Sequence, residues 1–255
     1  MTWDWLSQYF SLLLQDLFIY VSAHWGWVLN YYPLLLHGLY ITLLLLFISV
    51  ILGFALAIPI GLVQVTGPWP LRYLARGYCT FIRGTPLLIQ LWLLYYGIGS
   101  LFPMIGAAFP SFKTDFMWLI RLDAFYYALF AFTLNFAGYE AEVMRGAFLG
   151  VPKGELEAAR AFGMSPWKVL SRVWLPRAVR QALPTLAGET IGQLLATPLA
   201  FTIPVMDLMG VTSKIRQDTF LIYEPLLFLA FVYFVLTFLT TRVFNYAESL
   251  VPTKR

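Results

Sequence analysis

Uncharged apolar runs dominate the chain, and four of them are long enough to cross a bilayer. A helix rising 1.5 Å per residue needs about 20 residues to traverse about 30 Å of hydrocarbon. Such runs extend from about Pro33 to Val65, from Thr85 to about Ile105, from about Ala124 to Ala137 with continuation through Glu140 and Glu142 to Met144, and from about Leu226 to Thr241. A fifth stretch, Leu183 to Val205, is apolar apart from Glu189. The pattern predicts an all-α, polytopic membrane protein with five core transmembrane helices.

Residues 3–30 read differently. Gln8, Ser11, Gln15 and Ser22 fall roughly on one helical stripe while Leu6, Phe10, Leu13, Leu17 and Tyr20 lie elsewhere, the pattern of a helix lying in the membrane interface. A sixth span is the other reading, and it moves the N-terminus to the opposite side. Trp3, Trp5, Trp25, Trp27, Tyr31 and Tyr32 suit a headgroup-level belt in both cases. No Lys or Arg occurs in residues 1–33, so no basic region marks a signal peptide. Pro103, Gly106 and Pro110 make the segment from about Leu101 to Asp123 irregular or at most a short helix. The expected organisation is an N-terminal amphipathic segment over 1–33, one transmembrane domain over 34–250 with a loop at about 145–182, and a tail over 251–255.

Composition sets the function classes. The chain is 60% hydrophobic and 12% charged, against about 25% charged in soluble domains. A cytosolic enzyme, a nucleic-acid binder and a disordered adaptor are excluded. In a membrane protein the placement of the positive charges says more than the net value of +4. With the N-terminus outside, the inner segments hold Arg72, Arg76, Arg83, Arg145, Lys153, Arg160, Lys168, Arg172, Arg177, Arg180, Arg242, Lys254 and Arg255, and the outer ones only Lys113, Arg121, Lys214 and Arg216. The split predicts an outside N-terminus, a cytoplasmic C-terminus and a cytoplasmic 145–182 loop. Cys79 is the sole cysteine, expected to be an inert packing residue. His24 and His37 have no companions for a metal, and neither HExxH nor GxSxG occurs, so no catalytic and no metal residues are assigned.

Within that loop, residues 150–176 read GVPKGELEAARAFGMSPWKVLSRVWLP. Pro152, Glu155 and Glu157 suit a helix start, Gly163 interrupts it, Ser165 and Pro166 open a second short helix, and Pro176 is expected to end that one. Apolar Ala158, Ala159, Phe162, Met164, Trp167, Leu170 and Val173 would be wasted on water. The segment is therefore either a docking surface or an amphipathic piece lying on the bilayer.

Glu157-Ala158-Ala159, then Gly163, then Val173, then Leu175-Pro176 resembles the EAA signature of permease subunits of bacterial ABC importers, with Val where Ile is usual. Arg83-Gly84-Thr85-Pro86 and Ala131-Phe132-Thr133-Leu134-Asn135 are similar to the polar amino acid group, the histidine, arginine, glutamine and opine permeases. The resemblance covers about residues 34–250. Gly188-Glu189 stands where the group commonly has Asn-Glu, and Thr197-Pro198-Leu199 where Thr-Ser-Leu is usual; both lie near the expected substrate path.

The resemblance implies a type I importer permease in the bacterial inner membrane, with a periplasmic N-terminus. Its expected partners are a second permease subunit, two ATP-binding subunits, a periplasmic substrate-binding protein, membrane lipid and an amino-acid or opine substrate, with no nucleic acid. No GxxxxGK[ST] phosphate loop occurs, so ATP and magnesium belong to the partner ATPase and this chain binds no cofactor. In the coupling role, Glu157 would contact the ATPase, Ala158 and Ala159 permit close approach, Gly163 make the turn, and Leu175 and Pro176 close the motif. A self-sufficient secondary transporter or channel is the rival reading.

Polar groups inside the spans need a partner or a task, since a charge in hydrocarbon costs at least about 2.5 kcal/mol. Glu189 lies about 9 Å into its span by helical rise, with Gln193 one turn on. It would face the path and attract an ammonium group, or pair with Arg145 or Arg180 and hold helices together. Gly188 and Gly192 would let another helix come close, and Pro184, Pro198 and Pro204 would leave carbonyls to line a cavity. Asn135 binds substrate or cross-links helices. Glu140 and Glu142 are expected to pair with loop arginines, and Thr85 and Pro86 to form an ordinary helix start with Arg83 on lipid phosphate.

Overall fold

The computed structural model describes residues 10–16, 19, 24–98, 100–101, 104 and 122–250. The described residues are helical, with no strands among them. Among the described residues from Trp27 on, nine helices carry the fold: α1 (Trp27–Thr66), α2 (Trp69–Gly84), α3 (Leu87–Trp92, continued as a π segment to Gly97), α4 (Ala124–Gly150), α5 (Lys153–Ala161), α6 (Pro166–Val169), α7 (Leu175–Ala196), α8 (Leu208–Thr219) and α9 (Tyr223–Ser249). Two of them, α1 and α9, are long and apolar enough to cross a bilayer by length and composition alone.

Each boundary has a local cause. Gly67 adopts an extended conformation, with its N–H held on Val63 O at 2.9 Å, and Pro68 starts α2. Asp123 caps α4 by accepting from Phe125 N–H at 2.8 Å, and Asp207 caps α8 by accepting from Gly210 N–H at 2.8 Å. Phe220, left-handed at φ 57°, closes α8.

The body is built on α1 against α4, and small residues set the approach. A Cβ on Gly53 would stand 3.0 Å from Thr133 O, and one on Gly61 would stand 2.9 Å from Ala141 O. Those neighbours are backbone, so the crossing admits hydrogen at these positions. One apolar cluster, around Met144, Phe148, Ala178 and Ala182, fills the end of the bundle next to α5 and α6. A second, around Leu45, Leu91, Phe132 and Ile203, fills the other half. A third, with Leu194, Leu208 and Tyr233, fastens α9. Phe231, Phe234 and Val243 remain exposed on α9, as a lipid-facing helix requires.

Two expected boundaries are corrected, and a third holds within two residues. The second expected span starts as α3 at Leu87, just past Thr85, behind a break at Thr85–Pro86 that separates it from α2, which folds along α1 and α4. Arg72, Arg76 and Arg83 interrupt the apolar run without interrupting the helix. The span expected over Leu183–Val205 begins earlier, at Leu175, and tightens into a 3₁₀ turn over Thr197–Thr202. Pro176 does not end a helix. The chain passes from α6 through a π segment at Leu170–Trp174 straight into α7, because the wider turn absorbs the missing proline N–H.

Trp27 leaves the expected headgroup belt: it is 5% exposed and packs edge-on against Phe228 at 5.6 Å. Tyr31 O–H donates to Asp218 at 3.2 Å, and His24 Nδ1 lies 2.7 Å from Glu224 Oε1. Cys79 is buried. Residues 10–16 are helical and exposed; the rest of the expected interfacial segment up to residue 23, apart from residue 19, lies outside the described residues. So do most of the 101–123 segment, with Lys113 and Arg121, and the 251–255 tail.

Candidate functional site

The segment between α4 and α7 is a hairpin. Helix α5 ends in a paired closure, Met164 N–H on Ala159 O at 3.2 Å and Gly163 N–H on Arg160 O at 2.9 Å. That arrangement needs a left-handed residue at Gly163, which has φ +73°. Ser165 stands at the N-cap of α6 with Pro166 after it, though its hydroxyl makes no capping bond. Arg177 Nε donates to Glu155 Oε2 at 2.8 Å and Trp174 Nε1 donates to Phe148 O at 2.9 Å, fixing the hairpin to α4 and α7.

The apolar side chains of the hairpin divide into two sets. Leu156, Ala159 and Val169 are buried, and Met164, Leu170, Val173 and Leu175 pack partly against the same cluster. Phe162 and Trp167 stand out at 87% and 73% exposure, with Glu157, Ala158 and Gly163 exposed beside them. Ala159 thus admits close packing inside this chain. Pro176, half-buried, opens α7. Arg160, Lys168 and Arg172 are exposed.

A second feature lies where α3, α4 and α7 meet. A cavity of about 240 Å³ is lined by Thr85, Asn135, Tyr139, Glu189, Gly192 and Gln193 among others. The proline at its wall is Pro86, whereas Pro184, Pro198 and Pro204 are not among the lining residues. The helix break makes that wall. Thr85 O–H donates back to Phe81 O at 2.9 Å and does not cap α3. Gln90 Nε2 covers the exposed end of α2, donating to Ile82 O at 2.8 Å and to Thr85 Oγ1 at 2.8 Å.

Asn135 makes the expected cross-link between helices. Its Nδ2 donates to Gln90 Oε1 at 3.1 Å, tying α4 to α3, and it also lines the cavity. Gln193 is buried, its Nε2 donating to Ser49 Oγ at 3.2 Å and Phe132 O at 3.0 Å, so it joins three helices at the cavity edge. Glu189 is half-buried on the wall. It forms no ion pair with Arg145 or Arg180 among the described residues; Arg145 pairs with Glu142 on its own helix at 3.0 Å. Arg83 acts on Glu189 electrostatically and lies over the Tyr139 ring at 5.7 Å. A Cβ on Gly188 or Gly192 would meet nothing within 4 Å, so no other described helix closes on that pair.

Glu140 corrects a further expectation. Among the described residues it pairs with no loop arginine: it is fully buried, and neither carboxyl oxygen has a hydrogen-bond partner there. It points toward the packed interior and lies within electrostatic reach of Glu189. Its position on α4, off the Asn135–Tyr139–Glu142 stripe, removes it from the loop. Thr85 and Pro86, expected only as an ordinary helix start, line the site, and Gln90 and Tyr139 join it with no role expected of them. A proline and a glutamine inside an uncharged run were the available signals.

Comparison with known proteins decides the family. Residues 49–251 match the binding-protein-dependent transport system inner membrane component. The chain belongs to this family. The permease is 38% identical over 208 residues to the octopine transport system permease protein of Rhizobium radiobacter, covering 81% of this chain and 82% of the relative. It is 33% identical to the histidine/lysine/arginine/ornithine transport system permease protein of Escherichia coli K12, covering 82% and 84%. The crystal structure of an amino acid ABC transporter with histidines superposes with a TM-score of 0.73 at 29% identity, over 88% of the permease and 97% of that chain. A methionine ABC transporter in an inward-facing conformation shares the fold, with a TM-score of 0.69 at 19% identity. The permease is thus an all-α inner-membrane component of a binding-protein-dependent transport system, with the type I ABC importer fold.

Proposed function

We propose that the permease forms half of an alternating-access path and takes its drive from a separate ATPase through the α5–α6 hairpin. The observation that carries this reading is the pair Phe162 and Trp167, both exposed, at the tip of a hairpin otherwise clamped to the body. Large aromatics in such a position suit a partner's pocket. Glu157 and Ala158 flank them, and the Arg177–Glu155 and Trp174–Phe148 bonds would transmit a push on the tip into α7 and α4. ATP and magnesium would reside on the two ATPase subunits. The inner charge excess supports a cytoplasmic hairpin and C-terminus.

The open Gly188–Gly192 face of α7 and the Glu189 cavity would meet a second permease subunit, leaving the path between them. Glu189 would attract the ammonium or a cationic side chain of the cargo, handed over by a binding protein on the outer side. A relative that carries histidine, lysine, arginine and ornithine by name supports a basic amino acid as cargo, and one that carries octopine supports an opine.

Trp167→Ala tests the docking role. A central aromatic anchor is worth about 2 kcal/mol or more, roughly a thirtyfold loss in affinity. The ATPase should therefore dissociate from the variant on size-exclusion chromatography at concentrations where the wild-type complex is intact. A complex of undiminished affinity would remove the hairpin tip as the contact.

A further inference from the structure

A second polar pocket lies beside the substrate cavity, at the end of the bundle that carries the α5–α6 hairpin. Its volume is about 350 Å³, and Gln64 of α1, Arg76, Thr80 and Arg83 of α2, and Glu142 and Arg145 of α4 line it. Three guanidinium groups face one carboxylate. Glu142 is already held by Arg145 Nε at 3.0 Å, and neither Arg76 nor Arg83 has an ion pair among the described residues. The pocket therefore keeps an excess of about two positive charges.

Its depth places that excess in a headgroup layer. Helix α1 runs 40 residues, about 60 Å by helical rise, twice the hydrocarbon thickness. Its last turns, with Gln64 on one of them, stand beside Arg76, Arg83 and Arg145, charges that are costly to hold in hydrocarbon. Arg145 is level with Gly61, where a Cβ would stand 3.0 Å from the Arg145 backbone nitrogen. The aromatic residues agree. Trp69, Tyr73, Arg76, Thr80 and Arg83 follow one another at three- and four-residue spacing along one exposed stripe of α2. Trp69 and Tyr73 meet edge-on at 6.2 Å, as headgroup-level aromatics beside a lipid would.

Inside the pocket one buried group lacks a partner among the described residues. Gln64 is 2% exposed; its Nε2 donates to Cys79 Sγ at 3.4 Å, and no described group donates to its Oε1. The site offers guanidinium donors for an anion and, beyond them, an acceptor waiting for a hydroxyl. We propose that this pocket binds the headgroup of an anionic glycerophospholipid of the phosphatidylglycerol type. The phosphodiester meets Arg76, Arg83 and the Arg145 nitrogens not committed to Glu142, and a headgroup hydroxyl donates to Gln64 Oε1. Basic pockets between membrane helices hold lipid phosphates in this way, at about 1 kcal/mol per cation near the surface.

The test is native mass spectrometry of the whole transporter complex in detergent. It is titrated with phosphatidylglycerol, with phosphatidylcholine of the same acyl chains, and with soluble glycerol 3-phosphate. Phosphatidylglycerol should bind one site per permease with about 25-fold preference over phosphatidylcholine, two cations each contributing about fivefold. Arg76→Gln should cut that preference about fivefold, and Arg76→Lys should restore most of it. Equal binding of the two lipids overturns the proposal, as does an unchanged preference in Arg76→Gln. Saturation of the site by glycerol 3-phosphate at the lipid's own concentration overturns the lipid as its occupant. The wild-type ratio and the glycerol 3-phosphate competition need no substitution, so a variant that fails to assemble leaves two decisive readings.

Discussion

Gly163→Asp should leave the permease inserted and folded while abolishing its copurification with the ATPase. Gly163 holds φ +73°, and the two bonds that close α5 depend on it. A side chain forced into that region costs about 1–2 kcal/mol. An added Cβ meets nothing within 4 Å, so no clash spreads into the body. The damage stays at the tip, where the altered turn re-aims Phe162 and Trp167 and a new negative charge stands between them. Misplacing two aromatic anchors together is worth roughly 3 kcal/mol, more than a hundredfold in affinity. Retention on a tagged ATPase subunit and nucleotide-dependent uptake measure it. Asparagine adopts the left-handed region at least cost and adds no charge, so Gly163→Asn should keep most of the complex. Wild-type complex and uptake in Gly163→Asp would mean that the hairpin does not dock.

Glu189→Gln should reduce kcat/KM for cationic substrates about fivefold more than for neutral ones. The substitution preserves shape and one hydrogen-bonding oxygen and deletes the charge. A hydrogen bond to a charged group is worth about 2 kcal/mol where a neutral one gives about 1 or less, a difference of about fivefold. Glu189 is half-buried on the cavity wall with Asn135 and Gln193, and no arginine holds it in an ion pair among the described residues. Cargo that brings its own positive charge supplies the missing partner. Paired uptake assays of a basic and a neutral amino acid read the effect. Equal losses for both would make Glu189 a structural residue.

Hydropathy located most of this architecture because most of it is decided by lipid. Helices α1 and α9 read directly from uncharged runs, since nothing but a helix satisfies the backbone over that length in hydrocarbon. Helix α2 escaped because a window average penalises Arg72, Arg76 and Arg83 wherever they point. On the helix the apolar residues Cys79 and Ile82 face inward while Arg76 and Arg83 stay exposed. The hairpin was legible through its punctuation, with glycine at the turn and proline after it. Ala159 belonged to the interior because burial depends on which side of α5 meets Phe148 and Val169, and spacing alone does not show that. The cavity was half legible. Glu189, Gln193 and Asn135 stand out as polar residues in apolar runs and Thr85–Pro86 reads as a helix start, but the cover of that break by Gln90 comes from tertiary packing between α2, α3 and α4. Glu140 resembled an inner-edge acid by position, and only the rotation of α4 sends it into the core.

The most direct measurement of the coupling claim is uptake into proteoliposomes containing the permease pair, with and without the ATPase subunits, in the presence of the binding protein. With ATP inside, accumulation against a gradient should occur only when the ATPase subunits are present, and it should cease when a non-hydrolysable nucleotide replaces ATP. Uphill uptake by the permease pair alone, driven by a proton or sodium gradient, would contradict the account.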